Sequence, residues 1–595
     1  MAENEITPEQ PVEDQPTELH EEHHAEHKPK AEGNRLERLK SWYLNRKKWT
    51  IPASIVLLAL ILAAIPFTRY AAAGVVVKKD FNIKVVDATA GTPVSNAEVK
   101  LGNASAETNG KGLATLHVGV GKHKFSISKK YYKSADTSLT VPILSQKQAP
   151  EVKMIATGRQ VKISVVNLIT KKPLGGVDIK VADVSAKTDQ TGSATVVLPV
   201  NVNQQAATLS LDGYNDAKVT VKVNNDTIQQ NNFNLTPSGK VYFLSKLSGK
   251  IDVVKTNLDG TERKTVLAGT GSEEDTNTVL LASRDWKYLA LLSRRAGNLP
   301  SLYLIDTSND SLSTIDEGNA SFNLVGWAGD SFVYYITRND VQTWQPGNQA
   351  LKAFNAPNHK LATLDQTGGQ GTDQYNHANE SYGNIYLVGN NIIYDKEWNN
   401  YYAFLSGSDP VTGKLKSGVY GINVDGGNKL VFKTFDNTLG WYLSIDSVLN
   451  KPNEIYYQVT DPYQVSLHGG GPNYFEYDNG KFSANNDIAD KYNDYDRSIT
   501  FLASPDENST FWFEPRDGKN TLFIGDGSGD SGKQIASLSD YKPYGWYSNN
   551  YVLVSKNSSE LFIMPRDGSQ SPVKISDYHK PAANFYGYGG GYGGI

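Results

Sequence analysis

The chain has 595 residues, with 59 Lys and Arg against 63 Asp and Glu, a formal net charge of −4 and no cysteine. This length leaves room for several domains, and the lack of cysteine excludes thiol catalysis, cysteine-ligated zinc and disulfide bridges. The net charge averages over an acidic tail, a basic stretch and a near-neutral remainder, so we take the segments in order.

The first segment, residues 1–34, is acidic, contains several prolines and has almost no apolar side chains. Such a stretch cannot bury enough surface to offset chain entropy, so we expect a disordered cytoplasmic tail. Four of its histidines have a spacing that would gather a divalent transition metal on a helix. They are His20, His23, His24 and His27. A solvated tail is the favoured interpretation, because nothing else there would hold the geometry.

Residues 35–48 interleave leucine and aromatic side chains with cations, which predicts a basic amphipathic helix on anionic headgroups. The uncharged run Trp49–Phe67 follows. At about 1.5 Å of helix rise per residue it spans roughly 28 Å, close to the hydrocarbon thickness of a bilayer. We therefore predict a transmembrane helix over residues 49–68. Its interfacial anchors are expected to be Trp42, Tyr43 and Trp49.

The orientation of this helix follows from its flanks, because the more basic flank stays in the cytoplasm. Residues 35–48 are richer in Lys and Arg than the segment after the helix. We therefore expect a signal-anchored, single-pass plasma-membrane protein with a cytoplasmic N-terminus and an extracytoplasmic bulk. A cleaved signal peptide is the alternative, with a small-residue cleavage site at Ala71–Gly74.

After a neck at residues 69–79, the sequence has strand-like alternation and turn signals every eight to twelve residues. Residues 80–156 and 157–236 are two copies of one repeat, in which Thr92-Pro93-Val94 aligns with Lys172-Pro173-Leu174. Each copy supplies enough hairpins for two sheets with apolar side chains between them. We predict two small β-sandwiches.

The turn signals of these copies resemble the carboxypeptidase-regulatory-like, immunoglobulin-like surface modules. The matching positions are Gly91-Thr92-Pro93, Thr108-Asn109-Gly110 and Tyr131-Tyr132 in the first copy, and Pro173 to Val177, Thr188-Asp189, Gly192 and Gly213-Tyr214 in the second. The first copy lacks the glycine before its tyrosine pair. The resemblance implies spacer or binding modules without catalytic residues.

Residues 237–585 repeat a different unit, in which an aromatic-apolar strand is followed by a strand ending in an Asp, Asn or Gly turn. We count seven such pairs: YFLSKL with IDVVKTNLDG, YLALLS with LYLIDTSND, FVYYIT with LKAFNAPNHK, YYAFLSG with VYGINVDGG, EIYYQV with NYFEYDNGK, TFWFEP with TLFIGDGSG, and YVLVSK with LFIMPRDG. This predicts a β-propeller of seven blades, with six or eight as alternatives. Ring closure is expected to pair Lys240–Leu244 with the last blade.

These units resemble the blades of TolB-type propellers. The clearest matches are Ser283-Arg284-Asp285 with Leu302 to Asp306, Ser504-Pro505-Asp506 with Phe511, and Leu561 to Ile563 with Asp567-Gly568. The resemblance implies the fold and names no ligand. Residues 586–595, rich in Gly and Tyr, are expected to be a loose tail.

Three motifs resemble catalytic or metal-binding sites. Gly527–Lys533 has P-loop spacing, but Gln534 replaces the required Ser or Thr, so we interpret it as a hairpin loop. His468 to Gly471 resembles an esterase oxyanion loop, yet no Gly-x-Ser-x-Gly elbow exists. Acidic pairs suited to calcium, Asp494 with Asp496 and Asp526 with Asp530, are ordinary turn residues.

The chain holds 33 tyrosines, and the aromatic residues that cluster between the expected strands indicate a binding face for protein or glycan. The candidate binding residues are Tyr474, Tyr477, Tyr492, Tyr495, Tyr544, Trp546 and Tyr547. Aromatic residues within strands have a structural explanation instead.

From the sequence we therefore expect a mostly β, membrane-anchored cell-surface protein of prokaryotic type. Its propeller would bind an envelope protein, a neighbouring cell or a polysaccharide, with the lipid bilayer as a second partner and no nucleic acid. We find no catalytic residue set and expect no enzyme activity, cofactor or metal. The alternatives are an extracytoplasmic glycan hydrolase or lyase, and a signalling scaffold with an acidic cytoplasmic tail.

Overall fold

The computed structural model describes residues 35–64, 77–199, 203–223, 229–400, 415–436, 443–461, 465, 468–497, 499–538, 540–557 and 559–578. The expected acidic tail with its histidines, the candidate cleavage site and the Gly/Tyr tail lie outside these residues. The chain divides into two compact units. One comprises Met1–Phe81, His117–Lys124 and Ser138–Lys147, and the other Asn82–Leu116, Phe125–Thr137 and Gln148–Ile595.

The first unit contains two helices, α1 (Arg35–Asn45) and α2 (Lys47–Ala64). The large apolar side chains of α2 between Ile51 and Ile61 are exposed, with Ile55, Leu57 and Leu60 each about 60% exposed. No helix within the described ranges is long and apolar enough to cross a membrane. Residues 65–68 of the expected span lie outside those ranges, and the transmembrane segment stays a prediction.

The two sequence repeats contain fourteen strands. They are β1 (Lys78–Asp87), β2 (Glu98–Leu101), β3 (Ala104–Glu107), β4 (Leu113–Gly119), β5 (Gly121–Ser128), β6 (Ala135–Val141), β7 (Glu151–Met154), β8 (Arg159–Asn167), β9 (Asp178–Val181), β10 (Val184–Lys187), β11 (Ser193–Leu198), β12 (Gln204–Ser210), β13 (Ala217–Lys222) and β14 (Gln229–Leu235). Each repeat gives a three-stranded and a four-stranded sheet. The sheet orders are β4-β1-β7 and β3-β2-β5-β6 in the first, β11-β8-β14 and β10-β9-β12-β13 in the second.

The second repeat is a β-sandwich, because the inward-facing residues of its two sheets share one core. Along β8, Val161, Ile163 and Val165 are fully buried and Lys162 is exposed, which is the alternation that a strand with one buried face requires. These side chains pack with Ile179 and Leu209 of the other sheet.

The eighty-residue repeat is visible in individual hydrogen bonds. Thr108 Oγ1 donates to the Val94 carbonyl (2.6 Å), and Thr188 Oγ1 donates to the Leu174 carbonyl at the same distance. The closing strand is parallel to the opening strand in both copies, β7 to β1 and β14 to β8. The two repeats therefore share the same local structure at these matched positions.

The remaining strands follow in the C-terminal region. They are β15 (Val241–Ser245), β16 (Asp252–Thr256), β17 (Lys264–Leu267), β18 (Val279–Ala282), β19 (Tyr288–Ser293), β20 (Ser301–Asp306), β21 (Ser311–Glu317), β22 (Ala320–Ala328), β23 (Ser331–Arg338), β24 (Gln349–Asn355), β25 (Lys360–Gln366), β26 (Gly369–Asp373), β27 (Asn376–Val388), β28 (Asn391–Asn400), β29 (Lys416–Asn423), β30 (Leu430–Asp436), β31 (Ser444–Lys451), β32 (Glu454–Thr460), β33 (Asn473–Asp478), β34 (Lys481–Ala484), β35 (Leu502–Ala503), β36 (Ser509–Arg516), β37 (Lys519–Asp526), β38 (Lys533–Ser537), β39 (Tyr541–Tyr547), β40 (Tyr551–Lys556), β41 (Glu560–Pro565) and β42 (Val573–Asp577). A 3-10 helix (Asn486–Ile488) and α3 (Ala489–Asn493) follow β34.

These strands form a succession of sheets, each made of consecutive strands. Within the described residues the first sheet is β15-β16-β17, and the second and third are β18 to β21 and β22 to β25. The fourth has five strands, β26 to β30, and the fifth, sixth and seventh are β31 to β34, β35 to β38 and β39 to β42. Up-and-down sheets in sequence are the arrangement of propeller blades.

Six of the seven expected strand pairs are present in these sheets. The fourth is wrong, because β29 pairs with β28 at residues 391–400. The segment chosen from the sequence, residues 401–407, lies outside the described residues. Its two tyrosines and leucine imitate the strand pattern, whereas β28 carries polar residues at one end.

The expected closing pair is not among the strand pairs of the described residues. Strand β15 pairs with β16, and the seventh sheet consists of β39 to β42 within the described residues. The first and seventh sheets do pack on each other, since Val241 and Phe243 of the first share a core with Leu553 and Ile563 of the seventh. The indole of Trp286, from the second sheet, adds a hydrogen bond to the Trp546 carbonyl at 2.8 Å.

Candidate functional site

Among the described residues, the junction between the fifth and sixth sheets differs from the other junctions in its apolar contacts. Shared apolar cores join the first sheet to the second, the second to the third, the third to the fourth, the fourth to the fifth, the sixth to the seventh and the seventh to the first. The buried apolar side chains of the fifth sheet pack on the fourth sheet or on α3. Those of the sixth pack on the seventh or among themselves.

A cavity of about 540 Å³ lies at this junction between the fifth and sixth sheets. Its walls come from the second, fourth, fifth and sixth sheets, mainly from the turns between their strands. The lining residues with polar or aromatic side chains are Arg284, Asn391, Asn453, Tyr477, Asn479, Phe501 and Glu507. This volume falls within the range of small-molecule sites.

Two turns of the same design position the charged residues. Ser283 Oγ donates to Asp285 Oδ1 (2.8 Å) and accepts the Tyr288 backbone N–H (3.1 Å). In the sixth sheet, Ser504 makes the matching bonds to Asp506 and Ser509 at 2.6 and 3.0 Å. The Ser-x-Asp motif that resembles the TolB blade is therefore a hydrogen-bonded turn.

The residue after each Asp adopts a left-handed backbone, with φ of 61° at Trp286 and 59° at Glu507. Glycine adopts this conformation without steric cost, whereas a bulky residue there is unusual. Both side chains reach other sheets: Trp286 contacts the seventh, and Glu507 contacts Arg284 of the second. Such outliers cluster at functional or strained sites.

Arg284 and Glu507 form an ion pair within the cavity lining. Nη1 of Arg284 donates to Oε1 of Glu507. The Arg284 side chain is 10% exposed and that of Glu507 is 50% exposed, so the cation is buried and its partner is in contact with solvent. A buried guanidinium is a strong, geometrically specific hydrogen-bond donor to carboxylates.

The rest of the lining combines side-chain amides with aromatic rings. Asn391 and Asn479 are exposed, whereas Tyr477 and Phe501 are buried against the sheets. Burial raises the pKa of the Tyr477 phenol, which keeps this hydroxyl protonated. Amides and hydroxyls hydrogen-bond sugar hydroxyl groups, and aromatic faces pack on apolar sugar faces.

The second sandwich docks on the same edge of the sheets. Thr236 Oγ1 donates to Asp259 Oδ2 (2.6 Å) in the β16–β17 turn, and Lys172 lies 3.6 Å from Asp567 in the β41–β42 turn. These turns and the cavity-lining turns are on one edge, because strand direction alternates in antiparallel sheets.

The predicted aromatic binding face is corrected by the structure. Tyr474, Tyr477, Tyr492, Tyr544 and Trp546 are at most 7% exposed, and Tyr495 and Tyr547 are partly exposed. They lie in β33, in β39 or in and just after α3, where they are core side chains. Asp, Asn and Gly surround these aromatic residues, and such neighbours give a strand the sequence pattern of a loop. Tyr477 also lines the cavity.

The buried hydroxyl and indole groups of this set have structural partners. Tyr492 donates to Asp446 Oδ2 (2.6 Å), Tyr495 to the Leu449 carbonyl (2.5 Å) and Trp546 to the Leu502 carbonyl (2.6 Å). Rings with satisfied polar ends stabilise the sheets. In contrast to these buried aromatic residues, the expected membrane anchors are exposed. Trp42, Tyr43 and Trp49 are 56%, 36% and 82% exposed.

The tempting loop Gly527–Lys533 runs from the end of β37 to the first residue of β38, as the hairpin interpretation expects. Asp526 Oδ1 accepts the backbone N–H groups of Ser528 and Asp530, and Asp530 pairs with Lys451 at 2.6 Å. Its carboxylates are thus engaged in the turn and in a contact to the fifth sheet.

A cluster of carboxylates lies outside the cavity lining. Asp395 is fully buried in β28, and its Oδ2 accepts the Asn384 N–H at 3.1 Å. Burial, with the nearby Glu397 charge, raises the pKa of Asp395 well above its usual value. Burial also raises the pKa of Glu397 to about 7, although the Ile445 N–H donates to Oε1 at 2.5 Å.

Sequence reasoning missed Arg284 and Glu507 as site residues. The signal was present, because the TolB-type pattern has glycine after Ser-x-Asp and this chain has Trp286 and Glu507. The contact between Glu507 and Arg284 was not predictable, since the two residues are 223 positions apart.

The chain was compared with known proteins. No protein-family model matches it, and a search of curated proteins finds no match. Among solved structures it is similar to the β-propeller domain of the Trilobed protease from Pyrococcus furiosus, at 14% identity and TM-score 0.32, covering 64% of this chain and 96% of that one.

Two further similarities are to TolB from Acinetobacter baumannii and to a prolyl endopeptidase. The first has 13% identity and TM-score 0.24, covering 55% of this chain and 74% of TolB. The second has 12% identity and TM-score 0.34, and covers 57% of this chain and 47% of the peptidase. The succession of up-and-down sheets describes a mostly β protein with the arrangement of a β-propeller.

Proposed function

We propose that this chain is a single-pass, membrane-anchored surface protein whose β-propeller binds an extracellular saccharide in the cavity between its fifth and sixth sheets. In this proposal the seven sheets are seven blades. The two repeats are immunoglobulin-like modules of the carboxypeptidase-regulatory type, and they form a stalk. A polysaccharide is favoured over a protein partner because the recognition surface is concave.

The observation that carries the proposal is the cavity itself. Six junctions between sheets are filled by apolar cores, and at the remaining one the lining offers amides, a phenol, a phenyl ring and a charged pair. Ligand sites combine apolar walls with a few convergent polar groups in this way.

The membrane anchor is supported by the sequence. Trp49–Phe67 is uncharged, and the large apolar side chains of α2 from Ile51 to Ile61 are exposed. An all-round apolar helix needs an apolar environment. Because the chain has no cysteine, single cysteines report topology directly. With a membrane-impermeant maleimide on intact cells, Ser308→Cys should be labelled and Ala2→Cys should be protected, and the reverse pattern would contradict the anchor.

A glycan hydrolase would need two carboxylates facing the substrate. Glu507 is the single carboxylate in the described lining of the cavity, and it is engaged with Arg284. We therefore favour binding. Recruitment of a cytoplasmic partner by residues 1–48 would be an additional role of the tail.

The test is a saccharide array probed with the full chain in lipid nanodiscs, with empty nanodiscs as the control. We expect binding to one class of oligosaccharide that is weakened by Tyr477→Ala. Tyr288→Ala, which changes a tyrosine of the second sheet outside the cavity, should bind as the unaltered chain does. Absence of saccharide binding by the folded chain would reject the proposal.

A further inference from the structure

We propose that the cavity selects saccharides that carry a carboxylate, with Arg284 as the residue that recognises this group and Glu507 as an internal competitor for it. The inference rests on the proposed function, since it assumes that a saccharide enters the cavity. It adds the chemical class of the ligand and the group that determines it.

The first step is the position of the cation. Arg284 lines the cavity and its side chain is 10% exposed, so its guanidinium lies in a region of reduced water access. Charge interactions are stronger there than in bulk water. The planar guanidinium also matches the two oxygens of a carboxylate, which gives geometric as well as electrostatic selectivity.

The second step concerns the present partner of that cation. Glu507 belongs to a surface turn, its side chain is 50% exposed, and its backbone is in the left-handed region at φ 59°. A buried cation without a counter-charge is costly, so a carboxylate from the chain itself occupies the position when no ligand is bound. Because the Glu507 side chain is already half exposed, it can leave Arg284 and turn to solvent with little change in its surroundings.

Exchange of one carboxylate for another preserves the charge balance around Arg284. A neutral saccharide offers no counter-charge and would have to bind beside the intact ion pair. Glu507 must leave Arg284 before the ligand carboxylate can bind there. This unfavourable first step lowers the apparent affinity for an acidic saccharide. Removal of the Glu507 charge should therefore strengthen binding of the acidic ligand and leave binding of a neutral one unchanged.

The remaining lining completes the chemistry of an acidic sugar. Asn391 and Asn479 present exposed amides for hydroxyl groups, and the largely buried rings of Phe501 and Tyr477 form part of the cavity wall. These groups would hold the sugar ring while Arg284 holds its carboxylate. Neither amides nor rings distinguish an acidic sugar from a neutral one, so the discrimination depends on Arg284.

The test uses isothermal titration calorimetry on the full chain in nanodiscs. The probes are a hexuronate tetrasaccharide and the same tetrasaccharide after chemical reduction of its carboxyl groups. We expect the acidic form to bind at least tenfold tighter. Arg284→Gln should abolish that preference, and Glu507→Gln should increase affinity for the acidic form severalfold. The matched control is Arg338→Gln, which breaks an exposed pair with Asp340 in the third sheet.

Three outcomes would overturn the inference. Equal binding of the two tetrasaccharides would reject the carboxylate preference and leave saccharide binding in the cavity intact. A preference that survives Arg284→Gln would reject the role of Arg284, and if that variant does not fold, an unchanged affinity in Glu507→Gln rejects the exchange. Absence of binding by either probe to a folded chain would reject this inference together with the proposed function.

Discussion

The side-chain amide of Asn167 donates a hydrogen bond to the phenol oxygen of Tyr551 at 3.1 Å, joining the second sandwich to the seventh sheet of the propeller. The corresponding residue of the first repeat, Asp87, accepts a hydrogen bond from Gln160 of the second repeat at 2.8 Å. The same position of the repeat therefore contacts the following module in both copies.

Removal of a single oxygen atom should weaken the contact between the second sandwich and the propeller. Tyr551→Phe removes the acceptor of the Asn167 amide, and we expect the free energy of unfolding to fall by about 1 kcal/mol, the typical net value of one hydrogen bond. Thermal unfolding measured by calorimetry checks this. Tyr214→Phe is the matched control, because it removes the 3.0 Å bond from Asn167 within the sandwich and leaves the junction intact. A separate, earlier transition of the sandwich is expected for Tyr551→Phe only.

The two sandwiches approach closely at Gly110. A Cβ atom there would lie 2.3 Å from the Thr188 carbonyl oxygen. We expect Gly110→Ala to push the repeats apart and to cost about 1–3 kcal/mol, as overpacking does. Gly471→Ala is the control, since its Cβ would meet no atom within 4 Å. Equal denaturation midpoints for the two variants would contradict the close approach.

Lys129 also lies between the two repeats, where its ammonium group donates to the Ser95 carbonyl and to the Ser185 carbonyl at 2.9 Å. Burial lowers its pKa from 10.5 to about 8, with the Glu107 charge acting in the opposite direction. Between these two values the unfolded chain holds a proton that the folded chain has lost, so stability should rise with pH from about 8 to 10.5. In Lys129→Met that rise should be smaller. Lys218→Met, an exposed substitution, should retain it.

The carboxylate of Glu397 gives the opposite dependence at lower pH. Its pKa in the folded chain is about 7 against an ordinary 4.5, so the folded state holds a proton that the unfolded state has lost between these values. The associated stability is complete below about pH 4.5 and is lost as the pH rises through about 7. Urea denaturation of the unaltered chain and of Glu397→Gln at pH 5 and pH 8 tests this. The variant should lose less stability between the two pH values, and an equal loss would exclude Glu397 as a contributor.

The sequence predicted the local parts of the fold well. Thr108 and Thr188 mark the same turn of the repeat, and six strand pairs were recognisable because alternation and turn residues act over short distances. The aromatic segments around Tyr474 and Trp546 were misjudged, since turn residues beside a strand resemble a loop. The packing of the first sheet on the seventh was not predicted, because it depends on contacts between the two ends of the region.

The cavity could not be predicted from the sequence. Its lining comes from four sheets, and each contributing turn resembles an ordinary hairpin when it is considered alone. Only the three-dimensional arrangement of the sheets places Arg284 beside Glu507. The departure from glycine at Glu507 was a local sign of unusual backbone, but it did not identify the partner.

The central claim, that the junction between the fifth and sixth sheets is a ligand site, is tested most directly by filling it. Ala503 lines the cavity, and Ala503→Trp would occupy much of its space. Calorimetric titration of the full chain with the best oligosaccharide from the array should show at least a tenfold loss of affinity in this variant and no loss in Ala503→Ser. Unchanged affinity in a folded Ala503→Trp chain would contradict the assignment of the cavity as the binding site.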